Sequence, residues 1–225
     1  MKRLALAAIG LAVVAQTMAP STNVWAAGQD KPAAFRGTIS RIDATARRLM
    51  VGRSWRPGCP VPMRDLRLLD LTYWGFDRET HRGHLVVHKR WAKEMLTVFE
   101  SLYGARYPIG RMRLVDRYGA NDALSMAADN TSAFNCRWRA GSPGVWSQHV
   151  YGSAIDINPV ENPMFVPPND VSPAAGWSYL DRHGHRRGMI EAHDVVVGAF
   201  AAVGWEWGGT WHGTKDWQHF SANGR

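Results

Sequence analysis

Apolar and polar positions follow two different periods along this chain, and the change of period marks its elements. Residues 66–74 and 84–88 are short runs rich in β-branched, leucine and aromatic residues next to glycine, which is typical of strands. Between Lys89 and Tyr103, apolar residues recur every three or four positions, and Gly104 follows. This spacing predicts an amphipathic helix that ends at the glycine.

The second half of the chain repeats both patterns. Further predicted elements are a strand at 111–116, a helix at 190–203, and short strands at 205–207 and 217–220. Residues 117–145 and the Pro- and Asn-rich residues 159–173 have no clear period and predict long loops. Because strands and helices come in mixed order with short links, we predict one α+β domain with a mainly antiparallel sheet flanked by helices.

The first residues have the pattern of a secretory signal. Lys2 and Arg3 precede an apolar run at 4–15, which is too short to span a bilayer, and Val24 and Ala26 place small residues at the third-last and last positions before the cleavage site. We therefore interpret residues 1–26 as a signal peptide that is cleaved after Ala26. A secreted or periplasmic protein without a membrane anchor is the expected product.

The remaining 199 of the 225 residues suffice for one domain with a sizeable core. Residues 27–58 contain scattered apolar positions without a clean period, and we expect an N-terminal arm there, on a domain formed by residues 59–225. Because the signal contains Lys2, Arg3 and no acidic residue, its removal lowers the formal net charge from +8 to +6, which suits a nucleic acid or an anionic wall polymer. A recognition-helix pattern and a dense basic run are both missing from the sequence, so we expect no nucleic-acid partner. We also expect a monomer.

The stretch 146–159 combines a histidine and an aspartate on two sides of a glycine. In one unbroken strand, the odd spacing of His149 and Asp156 would place them on opposite faces. Gly152 allows a bend that returns both side chains to one side. After this bend, Ile155 points away from Asp156, so the carboxylate is displayed opposite an apolar face.

A second pair of the same kind is formed by Asp216 and His219. Two imidazoles and one carboxylate, with a fourth position open, are the usual ligands of a catalytic Zn²⁺. We predict His149, Asp156 and His219 as these ligands, with Asp216 as the base for a water molecule. The alternative is a buried His–Asp hydrogen bond without a metal. A rival motif at 183–185, His-Gly-His, lies among arginines whose charge opposes a cation.

Several separated motifs resemble the VanY-like zinc peptidases, in the order found in that family. They are Phe134-Asn135-Cys136-Arg137, Ser147-x-His149-x-x-Gly152-x-Ala154-x-Asp156, Gly204-Trp205-x-Trp207-Gly208-Gly209-x-Trp211 and Asp216-x-x-His219-Phe220. The resemblance runs from about Cys59 to Phe220. It implies a bacterial cell-wall peptidase with Zn²⁺ as cofactor and peptidoglycan stem peptides as substrates. Family members often have glutamate where this chain has Asp216, whose shorter side chain needs a closer backbone.

The resemblance also assigns roles to residues around the ligands. It gives Arg137 the task of stabilising the oxyanion, with Arg139 as the competing arginine. Ser147, Tyr151 and Trp207 are candidates for substrate binding, and turn formation or core packing is the alternative for each.

The two cysteines, Cys59 and Cys136, form an even pair in a chain expected to be exported. Such a pair indicates one disulfide, and two buried free thiols are the alternative.

We therefore expect an exported zinc peptidase that cuts stem peptides. The positive charge and the long loops favour a D-alanyl-D-alanine carboxypeptidase with an anion-holding pocket. An L-alanyl-D-glutamate endopeptidase of the same family and a non-catalytic wall-binding module are the alternatives. Serine, cysteine and nucleotide chemistry are disfavoured because no nucleophile elbow or phosphate-binding glycine loop is present.

Overall fold

The computed structural model describes residues 34–225. The signal peptide predicted at 1–26 lies outside this range. Within the described range, no helix combines the length and hydropathy that a membrane span requires.

Four α-helices and thirteen short strands occur in residues 34–225. The helices are α1 (Ala44–Met50), α2 (Ala92–Gly104), α3 (Asp122–Ala127) and α4 (Val195–Ala202). The strands are β1 (Gly37–Arg41), β2 (Leu66–Trp74), β3 (Thr80–His88), β4 (Arg111–Met112), β5 (Asn130–Thr131), β6 (Trp138–Arg139), β7 (Ser142–Trp146), β8 (Ala154–Asp156), β9 (Met164–Val166), β10 (Asp170–Ser172), β11 (Glu206–Trp207), β12 (Lys215–Asp216) and β13 (His219–Ser221).

The largest sheet is the antiparallel β1-β2-β3, which builds the core. Alternate residues of β2 and β3, such as Leu69 and Val87, are fully buried and face α2, which contributes Met95 and Phe99. The alternation follows from the two-residue period of a strand, which gives each sheet one apolar face. The segment expected to be an arm supplies β1 and α1, and β1 pairs with β2 over its whole length.

Two smaller antiparallel sheets surround the candidate site. One has the order β11-β13-β8, and the other has the order β10-β9-β12. A hairpin of β6 and β7 lies beside them, and only β4 and β5 pair in parallel among the strands of the described residues. The α+β class with mainly antiparallel pairing is confirmed.

Some predicted boundaries are wrong, and local hydrogen bonds explain the differences. The predicted helix at 190–203 begins only at Val195, because Asp194 accepts hydrogen bonds from the main-chain N–H groups of residues 196 and 197 and acts as the N-cap. The predicted strand at 111–116 ends at Met112, and a 3-10 turn, Val115–Tyr118, follows.

Cys59 and Cys136 form the expected disulfide, which joins positions 77 residues apart. Cys136 is buried in a small core with Met50, Phe134 and Val150. The bond therefore attaches the segment before β2 to the residue that directly precedes Arg137.

Replacing both cysteines (Cys59→Ser with Cys136→Ser) should lower the free energy of unfolding by about 4 kcal/mol, because the unfolded chain regains the entropy of a long open loop. Urea denaturation measures this difference. A reductant should destabilise the wild-type chain and leave the double variant unchanged. A wild-type chain whose unfolding midpoint does not respond to the reductant would contradict the pairing.

Candidate metal centre and active site

The register of β8 and β13 places two of the predicted ligands side by side. His219 is the direct cross-strand partner of Asp156 in this antiparallel pair. Their neighbours in the same register, Ile155 and Phe220, point to the opposite face and are fully buried in the core. The alternation of the strand thus separates a chemical face from a packing face.

The third predicted ligand, His149, reaches this face through a 3-10 turn. The turn, Gln148–Tyr151, is capped at its start by Ser147, whose Oγ accepts from the main-chain N–H of His149. It ends at Gly152, which has φ +60°. A Cβ at this glycine would lie 2.5 Å from the main-chain nitrogen of His88, so no larger residue fits without a shift. The bend predicted from the sequence is present and packs against the end of β3.

The three side chains converge in a buried cluster. Nε2 of His149 lies 3.1 Å from Oδ2 of Asp156, and Nδ1 of His219 lies 2.9 Å from Oδ1. One ligand atom from each residue falls within 4.8 Å of the others. Both carboxylate oxygens therefore face imidazole nitrogens, as in a site that surrounds one ion.

The outer nitrogens of both rings are bonded to main-chain carbonyls. Nδ1 of His149 lies 2.6 Å from the carbonyl oxygen of Ala133, and Nε2 of His219 lies 3.1 Å from that of Arg225. A carbonyl only accepts, so each outer nitrogen carries a proton. The inner nitrogens face the carboxylate of Asp156, and either a proton or a metal ion can lie between nitrogen and oxygen. A metal ion fits this donor set, with the carbonyls as the outer partners that such histidines usually have.

The electrostatics of the cluster also favour positive charge. Burial opposes the ionised form of Asp156, but the charges and hydrogen bonds of the two histidines outweigh it and hold the pKa of this carboxyl well below its usual range. Burial likewise opposes the charged form of His219, but its bond to Asp156 raises the pKa of the imidazole to about 9. In the absence of a metal, a proton supplies the positive charge that the cluster requires.

Asp216 lies beside this cluster on a different sheet. It belongs to β12, where it pairs with Met164 of β9. Gly208 packs directly behind it: a Cβ on this glycine would lie 2.5 Å from the carbonyl oxygen of Asp216. The lack of a side chain at Gly208 therefore allows the main chain of Asp216 to pack closely against it.

The carboxyl of Asp216 has the features of a proton acceptor. The residue is half-buried, but its Oδ1 is enclosed and accepts no hydrogen bond from the described residues. Burial raises the pKa of Asp216 to about 7, since it outweighs the attraction of His219, and the charge of Asp156 adds to the rise. A cation at the neighbouring cluster would lower this pKa by direct attraction.

Arg137 also reaches the site, where it is held by a partner that the sequence did not indicate. One of its terminal nitrogens, Nη2, lies 2.6 Å from Oδ2 of Asp122 in α3. The other donates to the carbonyl of Trp138, and Nε is buried without a partner among the described residues. Asp122 lies in a segment predicted to be an irregular loop, and nothing in its spacing from Arg137 revealed the contact.

One cavity of about 330 Å³ joins these groups. Its lining includes the three predicted ligands, the predicted base, both candidate arginines and several residues of the neighbouring loops: Asp122, Met126, Arg137, Arg139, Ala140, Val145, Trp146, Ser147, Gln148, His149, Asp156, Met164, Ser172, Trp211, Asp216, Gln218, His219 and Arg225. A larger groove of about 430 Å³ beside α1 contains none of the predicted site residues.

The three predicted substrate-binding residues lie in different environments: one in the cavity, one at the surface and one in the core. Ser147 lines the cavity and caps the turn before His149. Tyr151 is exposed and does not line the cavity. Trp207 is buried in the core and donates its indole N–H to the carbonyl of Trp217. In the rival histidine motif, the exposed His185 pairs with Glu191.

A family model described as D-alanyl-D-alanine carboxypeptidase matches residues 140–222. No significant match was found among curated proteins or among solved structures. The matched segment contains His149, Asp156, Asp216 and His219. The match confirms, over residues 140–222, the resemblance of the motifs to the VanY-like D-alanyl-D-alanine carboxypeptidase family.

Proposed function

We propose that this chain is an exported, zinc-dependent D-alanyl-D-alanine carboxypeptidase that acts on peptidoglycan stem peptides. The observation that carries the proposal is the buried His149–Asp156–His219 cluster, whose ligand atoms lie close enough to hold one metal ion, beside the enclosed carboxylate oxygen of Asp216 in one cavity. The signal pattern at residues 1–26 supports export, and the net charge of +6 on the residues after it suits an anionic wall.

The zinc ion would be held by His149, Asp156 and His219. A bound zinc ion supplies Lewis acidity and makes a water molecule more acidic. The carbonyls of Ala133 and Arg225 fix the orientation of the two rings, so that the inner nitrogens are aimed before any ion arrives.

Asp216 moves the proton in this proposal. Its free Oδ1 accepts a proton from the water that attacks the scissile carbonyl and passes it to the amine of the leaving residue. Burial raises the pKa of this carboxyl and a neighbouring cation lowers it, and the effect of burial makes Asp216 a better proton acceptor than an exposed aspartate beside the same cation.

Arg137 stabilises the negative charge that develops on the carbonyl oxygen. A donor contributes most when its position is fixed before the reaction. The ion pair with Asp122 and the bond to the carbonyl of Trp138 fix one end of the guanidinium, and Nε is left without a partner. Asp122 is therefore a positioning residue for Arg137.

An L-alanyl-D-glutamate endopeptidase of the same family would use the same ligands. The position of the cleaved bond distinguishes this endopeptidase from the carboxypeptidase. A non-catalytic wall-binding module has less support, because a predicted base lies in the cavity together with all three ligands and an arginine.

Digestion of pentapeptide muropeptides should release a single terminal D-alanine, detected by mass analysis. A chelator should abolish the release, and added zinc should restore it. Release of an intact peptide from the muramyl end would show the endopeptidase instead. Full turnover in a chain shown to be free of metal would exclude the metal-dependent proposal.

Replacement of the ligands and the base should have separable effects. His149→Ala, Asp156→Ala and His219→Ala should each lower the bound zinc, whereas Asp216→Asn should keep the zinc and lose turnover, because it removes only the proton acceptor. Metal analysis together with rate measurements tests this split. His185→Ala is the matched control and should change neither quantity. Zinc loss in Asp216→Asn would make this residue a ligand or a structural group.

Loss of Arg137 or of its partner should reduce the rate without removing metal. Arg137→Ala should lower kcat by ~10²–10³, and Asp122→Asn by about 10-fold or more through misplacement of the guanidinium. Asp65→Asn removes an ion pair of similar length, to Lys89, outside the cavity and should leave kcat unchanged. An Asp122→Asn variant with wild-type kcat would show that the ion pair has no part in turnover.

A further inference from the structure

A carboxypeptidase must recognise the free carboxylate of the last residue of its substrate, and an endopeptidase must not. This recognition needs a cation in the cavity that is separate from the metal and from the donor to the oxyanion. The arginines at 139 and in the loop 182–187 are the candidates that the sequence offers.

The arginines of the loop 182–187 already have hydrogen-bond partners within the protein. Arg182 donates to the carbonyls of Glu161 and Ile190 and stacks on a tryptophan ring. Arg186 donates to the carbonyl of Ser178, and Arg187 to that of Phe76. None of the three lines the site cavity. Their contacts hold the loop and do not present a cation to a substrate.

Arg139 differs in each of these respects. It lines the cavity, its side chain is exposed, and none of the described residues forms an ion pair or hydrogen bond with its guanidinium. The nearby Arg137 is neutralised by Asp122, so the two arginines have separate tasks. An unpaired guanidinium in a cavity is suited to bind a carboxylate through two parallel hydrogen bonds.

The hairpin β6–β7 gives Arg139 a defined position. A register irregularity lies between Trp138 and Arg139, and such irregularities often re-aim a side chain beside an active site. Trp138 stacks on Trp146 with ring centroids 3.5 Å apart, which stabilises the hairpin. Val145 and Ala140 line the cavity next to the arginine and offer apolar contacts to a small side chain.

We propose that Arg139 binds the terminal carboxylate of the stem peptide and makes hairpin β6–β7 the element that selects a free C-terminus. This inference rests on the proposed function and names its specificity residue. A small apolar last residue, such as D-alanine, suits the apolar contacts of Val145 and Ala140 beside the charge.

The test compares a synthetic stem pentapeptide that has a free C-terminal carboxylate with its C-terminal amide. The purified, zinc-loaded wild-type chain is measured beside Arg139→Gln, Arg139→Lys, Arg225→Gln and Arg186→Gln. Arg225 is the competing cation, because it also lines the cavity and has no ion-pair partner among the described residues. Arg186 does not line the cavity, so Arg186→Gln is the matched control and should behave as wild type on both substrates. Zinc content and thermal unfolding confirm that each variant is folded and loaded.

Wild type should cleave the acid much faster than the amide. Arg139→Gln should lower kcat/KM for the acid by about 10- to 100-fold, mainly through KM, because a charge-assisted contact to the bound substrate is lost. Its kcat/KM for the amide should stay close to the wild-type value, so the preference between the two substrates disappears. Arg139→Lys should recover part of the preference, and Arg225→Gln should keep all of it.

Three outcomes would overturn the inference while the proposed function stands. They are an equal loss on both substrates in Arg139→Gln, no loss on either, and loss of the preference in Arg225→Gln instead. A wild-type chain that cleaves neither peptide, or that cuts only an internal bond, would refute the carboxypeptidase itself and this inference with it. Failure of the inference is therefore seen in the arginine variants, and failure of the proposed function is seen in the wild-type chain.

Discussion

The contact of two imidazoles with one buried carboxylate is the interaction on which the candidate site depends. His149 and His219 each use their outer nitrogen on a main-chain carbonyl, and their inner nitrogens face Asp156 at 2.9–3.1 Å. A buried carboxylate needs positive charge beside it, which a proton on His219 or a bound metal ion supplies. The contacts with Asp156 also tie a turn to two strands.

Close backbone packing provides the required rigidity. Gly152 lies against the end of β3, and Gly208 lies against the carbonyl of Asp216, each at a distance that excludes a Cβ. The first contact sets the position of His149 relative to the large sheet, and the second restrains the main chain of Asp216, the predicted base. Sites on paired strands and tight turns keep their geometry better than sites on free loops. The disulfide of Cys136 likewise restrains the main chain directly before Arg137.

The sequence revealed the parts of the site that depend on local pattern. The bend at Gly152 and the strand placement of Asp156 follow from spacing, and the strand of residues 66–74 was located with its observed bounds. Partners brought together by tertiary folding left no local signal. Asp122 is 15 positions from Arg137, in a segment whose helix α3 is too short for a visible period. The start of α4 was missed because one capping residue, not the apolar period, sets it.

The charged side chains in the cavity differ in whether they have a charged partner. Arg137 forms an ion pair with Asp122, whose negative charge also raises the pKa of Asp216. Arg139 has no such partner and is the exposed cation of hairpin β6–β7 in the cavity. In the proposed mechanism, the carboxylate of Asp122 therefore favours proton transfer by Asp216 and positions the oxyanion donor, while a separate cation stays available for an anionic substrate.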